Sequence, residues 1–312
     1  MRNVDYKRAR LFQVDLLAFR NILEIDKEQM IARVEPVVTK GQITHITVPI
    51  NLSLAVVADL DDLTIFGLIN GNDIAGNSHI YSLFSYTVIA YEKVLAIALL
   101  ELQTMMNILI SSMLSLGLQE LLAGAKGGPT TKMLTYTPFV GNLQELAKGY
   151  MDSFTPKDCD EDQDNVSEFV EAMIYSPTEV VFMTGRYASK EETKKKGNNI
   201  NSLGWRFKPW FYQHAKSVLK KGEFLEYILT REYYHRHTRH LSWEGKPILP
   251  FGDQWWFRFL LGWLMPSKVS LLKGTQREAI RNYYREMHAI QDMLVPLYEV
   301  GDALEWVHQE IE

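Results

Sequence analysis

Three stretches of this sequence bring together residue types that do chemistry. The first is Asp61–Leu83, DDLTIFGLINGNDIAGNSHIYSL, where Gly67, Gly71 and Gly76 recur along a polar loop. Glycines let backbone N–H groups approach phosphate oxygens closely, so such a loop could cradle a phosphate-bearing cofactor. The spacing forms neither a dinucleotide fingerprint nor a P-loop, and bulky Phe66 stands beside one glycine. The second stretch is Glu232–Gly245, EYYHRHTRHLSWEG. On a strand, His235 and His237 would share one face, Arg236 and Thr238 the other, and Arg239 would return to the first. A zinc site would need a third ligand, and no second cluster carries ligand spacing. Two readings stay open: a polar pocket wall whose imidazoles donate protons or hydrogen bonds, and a structural hydrogen-bond network. The third is Asp158–Asn165, DCDEDQDN, which imitates the start of a calcium loop. Such a loop needs glycine sixth and a carboxylate twelfth; Gln163 and Phe169 stand there, so it reads as a solvated acidic loop.

These residues need elements to hold them. Residues 11–60 read as strands with turns: FQVDL, RVEPVVT and THITVPI carry β-branched residues in partial alternation. AFRNILEIDKEQMIARVEP reads as two strands joined by a turn at Asp26-Lys27. Residues 88–122 are continuously apolar and predict helix, and AKGGPTTK (125–132) is a flexible break. Beyond it, Leu143, Leu146, Ala147 and Tyr150 fall on one helical face. VEAMIYSPTEVVFMTGRYA predicts a hairpin through Ser176-Pro177-Thr178, and two C-terminal helices break near Pro296. A domain seam falls near residue 135.

Composition narrows the classes. The chain has 312 residues, 46% of them hydrophobic, enough for one sizeable core or two smaller ones. A net charge of −5 and a pI near 6.0 argue against nucleic acid as a partner. A single cysteine, Cys159, excludes an internal disulfide framework and fits a reducing compartment. Leu102–Leu118 has no charged residue but falls short of the ~20 apolar residues that span a bilayer, so a buried or surface-lying helix is favoured. FGDQWWFRFLLGWLMP (251–266) sets three tryptophans and three phenylalanines around Arg258. It reads as core, as a lipophilic pocket wall, or as a membrane-interface contact.

Taken in order, FRNILEIDKEQMIARVEPVVTKGQIT, VADLDDLTIFGLING, SHIYSLF, KPWFYQHA, EYYHRHTRHLSWE, LLGWLMPSKVSLLK and MHAIQDMLVPL resemble one family. It is the FAD-dependent delta24-sterol reductases, and the plant Diminuto/dwarf members look closest. The resemblance covers residues 1 to about 100 and about 133 to 312. It implies an α+β chain, with an FAD-binding domain of the vanillyl-alcohol-oxidase (PCMH) type over 1–135 and a substrate (cap) domain over 136–312. It also implies NADPH-dependent reduction of the sterol side-chain double bond, in sterol and brassinosteroid synthesis, at the endoplasmic reticulum membrane. On the family's flavin loop, Thr64, Gly67, Leu68, Gly71, Gly76, Ser78, His79 and Tyr81 are retained and are implied to bind FAD. The proton donor is open, with His235, His237 and Arg239 as candidates.

This chain departs from the family in ways that predict impaired flavin binding. Phe66 and Asp73 replace glycines, Asn77 a serine, and Ser82 the glycine after the tyrosine. Against the family pattern, the upstream membrane anchor, an upstream flavin-contacting segment and the C-terminal segment are expected to be absent. Inside the chain, the family continues after Val94–Ala96 with a pattern like E-Y-S-D-L-F-Y-A-I-P-W-S. Codons for that pattern, read from the second base, give NILISSMLSLGL, the sequence of Asn107–Leu118. Residues 98–125 therefore read as a frame-shifted segment. The competing expectations are a non-catalytic remnant that binds sterol or a partner, and a peripheral membrane module built on 102–118 and 251–266.

Overall fold

The first hairpin is set by one aspartate. In the computed structural model, which describes residues 16–71, 73–94, 100–104, 119–122, 131–154, 167–195, 200–237, 249–264 and 294–311, strand β1 (Ile22–Asp26) turns into β2 (Ile31–Val34). Asp26 Oδ1 accepts from the Glu28 and Gln29 amides at 2.8 and 2.9 Å. Met30, at φ 58°, brings the chain back, and the turn expected at Asp26-Lys27 is present. Alternation along β2 buries Ala32 and Val34 completely.

THITVPI corrects the strand expectation. Lys40–Thr47 forms helix α1, followed by a 3-10 turn over Val48–Ile50. The cause is a capping box: Thr39 Oγ1 accepts from the Gln42 amide at 3.2 Å, and Gln42 Oε1 accepts from the Thr39 amide at 2.9 Å. Burial of Ile43, Thr44 and Thr47 adds to it and outweighs the tenths of a kcal/mol that β-branched residues cost a helix. Short helices α2 (Ile65–Asn70) and α3 (Ser78–Tyr81) follow.

Residues 88–122 supply a second correction. Their described parts are strands β3 (Val88–Val94), β4 (Leu100–Thr104) and β5 (Gln119–Leu122), not helix. A central strand and a buried helix segment both read as an unbroken apolar run, and here backbone pairing decides. The sheet order is β1-β2-β5-β3-β4, antiparallel throughout. The rest of the segment read as frame-shifted, including 105–118, lies outside the described residues, as do FQVDL's first residues, Cys159 and the acidic run 158–165.

The second sheet contains β6 (Thr131–Val140), β7 (Phe169–Ser176), β8 (Glu179–Ala188), β9 (Ile200–Asn201) and β10 (Phe224–Leu229), in the order β7-β8-β6-β10-β9. Among the described residues of this sheet, only β9 and β10 pair in parallel. The expected hairpin through Ser176-Pro177-Thr178 joins β7 to β8. Helix α4 (Leu143–Asp152) begins with an Asn142–Glu145 capping box and packs Leu143, Leu146 and Tyr150 against Val180 and Phe182. Helix α5 (Thr230–Tyr234) continues directly from β10, and α6 (Trp255–Leu261) covers Trp210 through Phe257. Helix α7 (Val300–Ile311) lies along α4, where Gln144 Nε2 donates to Asp302 Oδ1 at 2.9 Å.

One apolar cluster joins the two sheets. It runs from Ala32 and Val34 through Ile43, Val56 and Phe84 to Leu134, Val181, Phe211 and Ile228. The fold is α+β, as expected. Polar groups buried beside this shared core form the region described next.

Candidate functional site

The glycine loop divides into two halves with different chemistry. In the first half, Thr64 caps α2, and its Oγ1 accepts from the Gly67 amide at 3.2 Å. The other amides at this helix start are also engaged: Ile65 donates to Val38 O, Phe66 to Pro36 O and Leu68 to Thr64 O. Leu68 is core, and a Cβ on Gly71 would stand 2.9 Å from Gly67 O. Thr64, Gly67, Leu68 and Gly71 thus build a tight turn whose donors are already spent.

In the second half, amide donors among the described residues are left over. Its position is fixed by Asn77, which is buried and donates through Nδ2 to Ala55 O, and by Gly76, whose carbonyl accepts from the Val170 amide at 2.7 Å. A Cβ on Gly76 would come within 2.5 Å of Glu171 Oε1, so only glycine fits. Ser78 Oγ accepts from the Ala75 amide at 2.9 Å, and His79 Nε2 donates to Ser167 O at 2.9 Å. Among the described residues, the amides of Gly76, Asn77 and His79 meet no protein acceptor. These donors fit the phosphates of a dinucleotide cofactor, with partly exposed Tyr81 at the end of the same turn. Asp73 lies just upstream, its carboxylate near enough to Lys40 to favour the charged amine.

The histidine run is not a strand. Residues 235–237 form a turn after α5, so the expected alternation of faces gives way to three side chains held separately. His235 sits between two partners: Nδ1 pairs with Asp61, and Nε2 lies 2.8 Å from Thr44 Oγ1. Burial lowers its pKa, and Asp61 recovers part of the loss. The neutral ring then carries its proton on Nδ1, toward the carboxylate. His237 is buried with its ring edge-on to Phe211, and burial, opposed by Asp59, lowers its pKa to about 4. Arg239 lies outside the described residues.

Arg236, which the sequence reading placed on the opposite face, is the centre of the arrangement. Its guanidinium is buried between Asp59 Oδ1 at 2.8 Å and Glu171 Oε2 at 2.6 Å. It also donates to Tyr233 O at 2.9 Å and lies 4.1 Å from the Tyr233 ring, whose hydroxyl donates to Glu171 Oε1 at 2.7 Å. Asp59 comes from the segment before α2 and Glu171 from β7, so one cation ties the two sheets' surroundings together. The surrounding acids and the Tyr233 ring hold Arg236 firmly protonated despite its burial.

Beside this pin lies a phenol chain. Ser53 Oγ donates to Leu54 O at 3.0 Å and so accepts from Tyr234 OH at 2.5 Å; Tyr187 OH in turn pairs with Tyr234 OH. Burial pushes Tyr187 up to about 12. Lys132 Nζ lies 3.1 Å from the Phe169 ring centroid and 4.1 and 4.2 Å from those of Tyr233 and Tyr234, fully buried. Burial and the nearby Arg236 hold its pKa well below the ordinary amine value. Nothing in the sequence marked Lys132, Tyr187 or Ser53. The acidic run Asp59–Asp62, directly after the apolar LAVVA, was the one available signal for a buried ion pair.

Lys40 gives a direct test of these electrostatics. It is fully buried, donates to Tyr234 O at 3.3 Å, and is lowered to about 7 by burial, against the pull of Asp59, Asp61 and Asp73. At pH 7 the unfolded chain holds this proton fully and the fold only half, so burying the amine costs stability. Lys40→Met keeps the volume and removes the charge. Allowing for the lost hydrogen bond, urea unfolding at pH 7 is expected to gain about 2 kcal/mol. A loss of stability would mean that the amine is a needed counter-ion.

Among the described residues no group of three or more His, Cys, Asp or Glu side chains could hold a metal, and no helix is long and apolar enough to cross a membrane. Residues 5–98 match the protein-family profile described as FAD binding domain. Along its whole length the chain is 65% identical to the Delta(24)-sterol reductases of Arabidopsis thaliana and Pisum sativum, covering 57% of each. It is also 39% identical to the Delta(24)-sterol reductase of Homo sapiens over 95% of the chain, covering 56% of that protein. The chain therefore spans a little over half the length of the curated relatives it matches.

Proposed function

By sequence this chain belongs to the delta(24)-sterol reductase family, and from that premise we propose that it carries FAD- and NADPH-dependent reduction of the sterol side-chain delta24 double bond, with a weakened flavin site. The observation that supports this is the full-length 65% identity to two plant reductases, together with the FAD-binding match over 5–98. The reading includes the seam near residue 135, with the flavin-binding part before it and the sterol-facing part after it. It also includes a place at a membrane, that of the endoplasmic reticulum.

FAD, once reduced by NADPH, supplies the hydride that such a reduction needs. The chain's own residues bind and position. The Gly76, Asn77 and His79 amides take the cofactor's phosphate oxygens, and Asn77 and Gly76 fix that turn against Ala55 and β7. Thr64, Gly67, Leu68 and Gly71 hold the preceding turn in shape. Ser78 and His79 brace α3, and Tyr81 is exposed at its end. We assign His235 and His237 a positioning role, because His235 is held between Asp61 and Thr44 and His237 is buried edge-on to Phe211.

Phe66 and Asp73 favour a second reading, a non-catalytic relative that binds sterol or a partner. Asp73 sets a carboxylate upstream of the anion-binding amides, and repulsion of a pyrophosphate weakens binding. Titration of the purified chain with FAD, followed by flavin fluorescence, tests the choice. We expect weak binding that Asp73→Gly tightens by about tenfold or more. Sterol reduction with NADPH by the tightened variant supports the reductase. A variant that binds FAD no better, with sterol still bound, supports the second reading.

A further inference from the structure

The aromatic segment 251–266 finds only part of its role in the core. Phe257 is buried against Trp210, and Arg258 is turned inward, donating to Asp253 O at 2.8 Å and to Phe207 O at 2.6 Å. The other side of α6 is bare. Trp255 is 74% exposed, Phe259 68%, Leu260 63% and Trp263 63%, and Trp256 lies at the edge, stacked on Phe251. Trp205 and Phe207 extend the surface, because the Arg206 carbonyl lies against Gly262, 2.9 Å from where a Cβ would stand. Four of the chain's seven tryptophans therefore meet on one outward face.

Charge identifies the partner. From Gln254 to Leu264 the one charged residue is Arg258, and from Leu203 to Tyr212 the charged residues are Arg206 and Lys208. Neither stretch carries a carboxylate, and Asp253 beside them is occupied by the Trp210 amide at 2.9 Å. Tryptophan, with an apolar ring and one N–H, is favoured where hydrocarbon meets headgroups, and exposed Arg206 at the rim suits lipid phosphates. A soluble surface gains nothing from so large an exposed apolar patch. We propose that the outer face of α6, with Trp205 and Phe207, is a docking surface that seats this chain on a phospholipid bilayer without crossing it. The proposal stands whether or not the chain reduces sterols, since it needs only lipid.

The test uses the full chain with vesicles of phosphatidylcholine and phosphatidylserine. Flotation is expected to carry the protein up with the lipid, and brominated acyl chains to quench its tryptophan fluorescence. The variant carrying Trp255→Ser, Phe259→Ser and Trp263→Ser should lose about tenfold or more of its partitioning, and most of the quenching. These side chains are exposed, so its thermal unfolding should stay close to that of the parent. Flotation unchanged in the variant, which would place the contact elsewhere, overturns the proposal. So does a parent that stays in solution as a dimer that the same substitutions disperse, because the face would then meet a second copy.

Discussion

Replacing Arg236 with methionine is expected to lower the unfolding free energy by about 3–5 kcal/mol. The size follows from what the substitution leaves behind. Arg236 is almost fully buried, and its guanidinium bonds Glu171 at 2.6 Å and Asp59 at 2.8 Å from different parts of the chain. Methionine fills the volume but leaves the Glu171 carboxyl, itself 17% exposed, without its cation. The Tyr233 hydroxyl still donates to Glu171 Oε1, which offsets part of the cost. Asp59 keeps 44% of its side chain exposed and water can solvate it, so Asp59→Asn is expected to cost about 1 kcal/mol or less. Glu171→Gln should fall between the two. Arg236→Lys retains the charge but not the planar fork that spans both carboxylates, and should recover less than half of the loss. Denaturant unfolding of the four variants checks the order. If Asp59→Asn cost as much as Arg236→Met, the bridge would owe its strength to the exposed carboxylate and this account would fail.

That ion pair marks where sequence reading stopped. Local signals worked where local chemistry decides. Ser176-Pro177-Thr178 gave the β7–β8 hairpin, and the spacing of Leu143, Leu146 and Tyr150 gave the packed face of α4. They failed where a cap or a distant partner decides. THITVPI is β-branched, yet Thr39 and Gln42 start a helix there. The apolar run after Val88 is strand because β2 and β3 lie beside β5, a pairing between residues far apart in sequence. The site behaved the same way. The glycine loop could be read only as a candidate phosphate-binding turn, and that its amides without a protein acceptor, among the described residues, lie in the Gly76–His79 half depends on packing. In HRH, the two histidines drew attention because their chemistry is familiar. Arg236 between them carries the contacts, through carboxylates 65 residues away at Glu171 and farther still at Asp59. A single sequence holds no record of such pairings.

Acid is expected to loosen this fold well before carboxylates titrate. His237 is held near 4 by burial, against 6.5 in the unfolded chain, and burial lowers His235 in the same direction. A base whose folded pKa is depressed adds stability above its unfolded pKa and loses it as pH falls through the folded one. The unfolded chain takes up protons first, so stability declines between about pH 6.5 and pH 4. His237 alone accounts for a decline of about 3 kcal/mol over that window. Asp59, pulled below the ordinary carboxylate value chiefly by Arg236 although its partial burial acts the other way, adds a further loss only below about pH 4. Lys40, lowered by burial to about 7 from 10.5, extends the slope at the other end, since its cost fades as pH rises above neutral. The melting temperature should therefore climb from pH 4 through pH 7 and continue upward into mild alkali. His237→Phe removes the proton-binding ring and retains its contact with Phe211, so its profile should be nearly flat between pH 6.5 and pH 5, apart from the share owed to His235. If parent and variant instead fall together, the acid sensitivity belongs to other groups and the burial of His237 has no bearing on it.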